Sequence, residues 1–244
     1  MTDCRAQKER PTDARSHISQ ICHLLYARAR SLGALRRRVA RLGHRIRPIC
    51  EAPNRHCSLA RLYRGIDRAP RRYGFHATLK PPFRLGPGQM PETLSAELAA
   101  FCAQRPTARL KDVQIDRMGR FLAITATDDT SAADDLAAAT VRHFDSFRAP
   151  PTEAEITRHQ RPSMSTAQAE NLRLWEHPHV TDQFRWHMTL TGRHPAPEMA
   201  HIQAALAPVL APLLAPPPVI NALSLVGEDE AGHFRLIYRA ALCR

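Results

Sequence analysis

The tetrapeptide His76-Ala77-Thr78-Leu79 returns 111 positions later as His187-Met188-Thr189-Leu190, and an aromatic residue, Phe75 or Trp186, precedes each copy. Successive side chains of a strand point to opposite faces. His76 and Thr78 therefore share one face, with Phe75, Ala77 and Leu79 on the other; His187 and Thr189 likewise lie opposite Trp186, Met188 and Leu190. Each segment sets an imidazole and a hydroxyl side by side above an apolar floor. With 13 histidines in 244 residues, chance supplies about one H-x-T, and His179-Val180-Thr181 is such a copy. His17-Ile18-Ser19 and His56-Cys57-Ser58 are serine versions. No aromatic residue precedes any of these three. A lone histidine on a sheet is more often structural than catalytic; two copies in matched contexts point to chemistry.

The text around the repeats is that of an α+β chain. An alternating stretch at 73–79 is expected to end as a strand at Pro81-Pro82. Helical periodicity covers 91–105, with Leu94, Leu98, Phe101 and Cys102 on one face. Strands at 113–116 and 121–127 read as a hairpin with Gly119 in its turn. Ser131 is expected to cap a helix to about 147, two shorter helices cover 152–159 and 165–175, and a strand covers 184–192. A helix over about 197–206 and a hairpin of 219–226 with 233–238 complete the pattern. Helices alternate with antiparallel-looking strand pairs, which argues against a doubly wound parallel sheet. No GxGxxG, GxxxxGK[ST], GxSxG or HExxH occurs, which removes the simplest nucleotide-binding, hydrolase and zinc-protease readings.

Charge is divided unevenly. The formal net charge is +12, yet residues 1–72 hold 18 Lys/Arg against 5 Asp/Glu and the remainder is close to neutral. A basic nucleic-acid surface across the globular part is thus not supported, so RNA is possible but not favoured as a partner. Residues 1–66 lack a legible structural plan, although 24–26 and 32–42 could be helical. A basic tail and a segment read from the wrong frame or start are both open readings for them. The domain division is 1–66 and 67–244. Six cysteines do not make a disulfide scaffold, and their spacing with His44 and His56 is no zinc knuckle. The longest apolar run, 204–220, is broken by prolines and too short for a bilayer. With no secretory h-region, the expectation is a cytoplasmic protein without a membrane partner.

Alternation adds Lys80 to the His76 face, and Arg185, Thr191 and Arg193 to the His187 face. Should the strands face each other, imidazoles, hydroxyls and cations would ring a gap suited to a phosphate. Histidine titrates near neutrality. One ring can then take a proton from water or a ribose hydroxyl while the other gives one to a departing alkoxide. No metal and no cofactor is called for.

These motifs resemble the two-histidine (2H) phosphoesterase superfamily, which includes cyclic nucleotide phosphodiesterases. The segments RRYGFHATLKPPFRL (71–85), FDSFRAPPT (144–152), FRWHMTLTGR (184–193) and VGEDEAGHFRLIYR (226–239) are more closely similar to its branch associated with phosphonate-utilisation operons. The resemblance covers about 67–244. It implies a bilobal, pseudo-symmetric α+β fold, antiparallel sheets lining a central groove with helices outside. It implies a hydrolase acting as a metal-independent cyclic phosphodiesterase, with His76 and His187 as acid/base pair and Thr78 and Thr189 binding phosphate. Lys80 and Arg185 are further candidate phosphate contacts, and Tyr73 and Thr191 candidate substrate contacts. The expected partner is a small phosphorylated substrate, a cyclic phosphate of a nucleotide or ribose phosphate. Family members begin with a hydrophobic strand and helix that 1–66 does not visibly supply, so an impaired first lobe is expected. The alternative readings are a non-catalytic RNA- or anion-binding protein and a partner in an operon-encoded complex with relic motifs.

Overall fold

The computed structural model describes residues 18–26, 76–215, 218–230 and 232–243. Its strands form three sheets, and every pairing within them is antiparallel. Sheet one contains β1 (Ile18–Tyr26), β2 (Ala77–Arg84), β8 (Ala222–Asp229) and β9 (Phe234–Ala241), in the order β2-β1-β8-β9. Sheet two is the short pair β3 (Ala108–Arg109) and β7 (Val219–Ile220). Sheet three runs β4-β5-β6, from β4 (Val113–Met118), β5 (Phe121–Ala126) and β6 (His187–Thr189). The α+β expectation with antiparallel sheets holds.

Local signals explain most of the helices. In α1 (Pro91–Ala103), proline opens the first turn, and Leu94, Leu98, Phe101 and Cys102 form the buried stripe. That stripe joins Leu223, Leu225 and Ala240 in the core, and α1 packs on β8 and β9. α2 (Ser131–His143), whose N-cap is Thr130 and not the expected Ser131, lies against β2 and is followed by a 3-10 turn, Asp145–Phe147. α3 (Glu153–His159) and α4 (Thr166–Trp175) both start with capping boxes, Thr152 with Glu155 and Ser165 with Gln168. α5 (Ala196–Leu214) backs sheet three, where Gln203 Nε2 donates to the Ile115 carbonyl at 3.0 Å. In the two-residue β4–β5 connection, Gly119 adopts φ +61°, a conformation that hairpin turns ask of glycine.

Four sequence expectations are corrected. Residues 18–26, expected to lack a strand and in part to be helical, form β1, a central strand between β2 and β8. The period of two is broken there by register shifts between Cys22 and Leu24, Leu24 and Leu25, and Ile18 and Cys22. Bulges of this kind erase the alternation by which a strand is read. β2 does not stop at Pro81-Pro82 but continues to Arg84. As an edge strand it can carry residues that donate no ladder hydrogen bond. The 184–192 strand contracts to His187–Thr189, between the 3-10 turn Thr181–Gln183 and a bulge. Finally, α5 runs past 206 through Pro208 and Pro212, both exposed. The carbonyls these prolines leave unpaired can turn to water there. No described helix is long and apolar enough to cross a membrane. The remaining residues of 1–66 lie outside those described.

Candidate functional site

Both motif-bearing strands are edges. β2 ends sheet one, β6 ends sheet three, and their backbones approach within 8 Å, Cα to Cα. The expected alternation is visible in burial. His76 and Thr78 are half-buried around buried Ala77 and Leu79, and His187 and Thr189 are half-buried around buried Trp186, Met188 and Leu190. The apolar side of each strand enters the core, which fixes the register, since a slip by one residue would exchange the faces.

His187 is oriented by its own chain. Its Nδ1 lies 2.8 Å from the Arg185 carbonyl, which can only accept, so Nδ1 carries the hydrogen. In the neutral ring, Nε2 therefore keeps the lone pair for proton exchange. The Phe121 ring centroid stands 6.1 Å from that of His187, and Thr125 pairs with His187 across β5. Pairing puts Thr125 on the His187 face. In sheet one, Phe234 of β9 comes within 6.0 Å of the His76 ring centroid. Phe121, Thr125 and Phe234 are not among the residues expected at the site from the motifs. The first two were in principle accessible, because positions 121, 123 and 125 alternate in step with the second motif.

Other candidate residues are placed differently. Lys80 is 2% exposed, and its Nζ lies 3.3 Å from Asp145 Oδ1 and donates to the Val141 carbonyl at 3.3 Å. Burial lowers its pKa to about 8, against the raising effect of Asp145. Arg148 donates to the same carboxylate from Nε at 2.8 Å and from Nη2 at 3.1 Å, and it also pairs with Glu176. Burial works against ionisation of Asp145, yet the Arg148 hydrogen bond and the Lys80 charge hold it below the usual carboxylate range. The 144–152 segment thus clasps β2 from α2's end. Gly86 N–H donates to the Phe147 carbonyl and Ala149 N–H to the Arg84 carbonyl, while Arg84 forks onto Glu155.

Thr191 is 1% exposed. Leu190 N–H and Thr191 N–H both donate to the Leu122 carbonyl, so two residues oppose one and the alternation reverses there. Thr191 Oγ1 accepts from Leu122 N–H at 3.0 Å and donates to the Gly192 carbonyl at 2.8 Å. It pins the bulge rather than lining the His187 face. Arg185 is exposed and forms no ion pair among the described residues. Tyr73 lies outside the described residues.

A second histidine group sits apart from these strands. The His177 ring lies 4.9 Å from that of His159 and 5.9 Å from that of His179, centroid to centroid. Its Nδ1 accepts the His179 N–H at 3.2 Å. Burial first, then the neighbouring rings, lowers the His177 pKa to about 3. The unfolded chain, titrating near 6.5, binds the extra proton between these values, so stability falls as pH drops from 6.5 to 3. The expected loss is about 5 kcal/mol at most, read as a falling urea midpoint. His177→Gln should flatten that slope, and an unchanged slope in the variant would refute the assignment.

Known proteins give three findings. Two curated relatives are each named "Ribose 1,5-bisphosphate phosphokinase PhnN". One, from Janthinobacterium sp. (strain Marseille), is 36% identical over 66% of this chain and 37% of its own length. The other, from Laribacter hongkongensis (strain HLHK9), is 31% identical over 69% of this chain and 39% of its own length. The chain thus spans less than two fifths of these relatives. A solved structure titled "Crystal structure of phosphoesterase" is similar at a TM-score of 0.44 and 13% identity, covering 93% of this chain and all of that one. The family described as "Protein of unknown function (DUF1045)" matches residues 78–235, a stretch holding Thr78, the 144–152 clasp and the whole second motif. The chain belongs to that family.

Proposed function

We propose that this protein is a two-histidine phosphoesterase that opens a cyclic phosphate by acid–base catalysis without a metal, with His76 and His187 as the proton-transfer pair. The observation that carries the proposal is the meeting of two sheet edges, β2 and β6, that each present an imidazole and a hydroxyl in alternation with buried apolar residues. In the reaction, one neutral imidazole takes a proton from water as the water oxygen bonds to phosphorus. The ester bond to the sugar oxygen breaks, and the other ring, protonated, gives its proton to that oxygen. The product is a phosphomonoester with a free hydroxyl. Thr78 and Thr189 donate to the non-bridging oxygens, and exposed Arg185 supplies positive charge beside them. Two lobes with one motif each, arranged in pseudo-symmetry, are part of the same reading.

The relatives' name specifies a ribose bisphosphate, and the substrate proposed here is accordingly a phosphate ester of ribose, within phosphonate metabolism. Their phosphokinase activity is not carried over, because the match covers only 37% and 39% of those proteins. The test is phosphorus NMR on a panel of ribose and nucleoside cyclic phosphates incubated with the purified chain in chelator. Conversion of at least one ring to a monoester is expected. Tight binding of cyclic phosphates without conversion would replace the enzyme by an anion-binding protein.

A further inference from the structure

We infer that Phe121 and Phe234 are positioning residues, each holding one of the two proton-transferring imidazoles at its working angle. The inference rests on the function proposed above and adds to it the groups that aim the pair. Two hairpin connections carry the sequence Gly-x-Phe, as Gly119-Arg120-Phe121 ahead of β5 and Gly232-His233-Phe234 ahead of β9. Both glycines have positive φ, +61° and +76°, and each phenylalanine is the first residue of the returning strand. The rings meet the imidazoles in matching geometry. Phe121 lies 6.1 Å from His187, centroid to centroid, with 46° between the planes, and Phe234 lies 6.0 Å from His76 with 42°. Hairpins of two separate sheets thus arrive at the same contact, one for each motif. Both phenylalanines are half-buried and stand outside the buried core, so core packing leaves their placement unexplained.

The need is plainest at His187. The bond from Nδ1 to the Arg185 carbonyl at 2.8 Å fixes one atom of the ring. A single hydrogen bond leaves the ring free to swing about it, and the terminal torsion of histidine is broad. A contact on a second side removes that freedom. Thr125 is the direct partner of His187, and Ala123 that of Thr189. Positions 121, 123 and 125 share one face, so the two rings come within 6.1 Å only by leaning towards each other over Ala123. Ala123 is fully buried, and its single methyl leaves the room that the rings close over. A proton-transfer group must stay within about 0.5 Å of its productive place, and a misplacement of about 1 Å can cost 10²-fold in rate. A phenyl ring offers a phosphate neither charge nor a strong hydrogen bond, so Phe121 and Phe234 act through the histidines.

The test uses the cyclic phosphate of the panel above that the wild type opens fastest. Phe121→Ala is expected to lower kcat about 10- to 100-fold and to leave KM within about threefold, and Phe121→Tyr, which keeps the ring, should recover most of the loss. In a His187→Ala background, Phe121→Ala should cost nothing further. Phe234→Ala should behave in the same way towards His76. Unchanged kcat, a rise in KM alone, or an equal cost of Phe121→Ala with and without His187 would overturn the positioning role and leave the two-histidine chemistry standing; the second result would make the ring a wall against the substrate instead. Should the wild type open no ring, the proposed function fails by itself, and NMR of nitrogen-15-labelled histidine still decides the inference. His187 is expected to hold its proton on Nδ1 in the wild type and to exchange between tautomers in Phe121→Ala, and an unchanged spectrum overturns it. Should Phe121→Ala not fold, Phe121→Leu, which keeps apolar bulk without the planar ring, is measured in its place by the same two readouts.

Discussion

Replacing His187 by alanine is expected to lower kcat by 10²- to 10⁴-fold while the protein stays folded, since a positioned acid or base contributes about that much. His76→Ala should do the same. The double variant should fall little further, because groups that act as one unit are far from additive. Ligand affinity separates this result from its competitor. Neither ring is needed to neutralise a bound phosphate, so affinity for a cyclic phosphate should change less than fivefold in His187→Ala. The apolar neighbours Trp186, Met188 and Leu190 remain in the core, so the thermal midpoint should stay within a few degrees. Full turnover by His187→Ala would end the proposal. Loss of turnover alongside loss of the folded state would be uninformative about chemistry, and His187→Asn, which keeps polarity and approximate size, then supplies the measurement.

The second large effect lies away from the reacting groups. Asp145 holds Lys80, whose side chain is 3% exposed, and Arg148, whose side chain is 13% exposed. Removing one partner of a buried pair leaves an uncompensated charge and typically costs about 3–5 kcal/mol. Asp145→Ala is therefore expected to unfold at markedly lower urea concentration than the wild type. The pH dependence has a definite sign. The folded-state pKa of Lys80 is lowered to about 8, below its unfolded value near 10.5, so the unfolded chain binds more protons between these values and stability from this group rises with pH. Without Asp145 the folded pKa drops further and the rise begins at lower pH. A variant whose stability is unchanged at pH 7 and flat towards pH 10 would show that the clasp between 144–152 and β2 is not held by these charges.

Where side chains follow simple periodicity, the sequence was enough to place them. The stripe of Leu94, Leu98 and Phe101, the Gly119 turn, the short helices beginning beside Thr152 and Ser165, and the polar–apolar alternation of both H-x-T strands are all found as read. What escaped is what periodicity cannot encode. The bulges of β1 break its period, so a central strand read as patternless. The bulge at Leu190 and Thr191 turns a residue counted on the reactive face into the core. Lys80 loses the parity that alternation assigns it, because the register shifts between Thr78, paired with Leu25, and Lys80, paired with Leu24, and only the tertiary fold brings Asp145, 65 residues away, to its ammonium group.

The proline pair in β2 has a mechanical consequence. A strand at the margin of a sheet invites any neighbouring margin to zip onto it, and the margin beside β2 belongs to β6. Neither Pro81 nor Pro82 has an N–H to offer, so that fusion is obstructed along the stretch just beyond Thr78. The two sheets stay separately laced. Side-chain packing in the shared core, not a continuous backbone ladder, therefore sets the spacing between the two motifs.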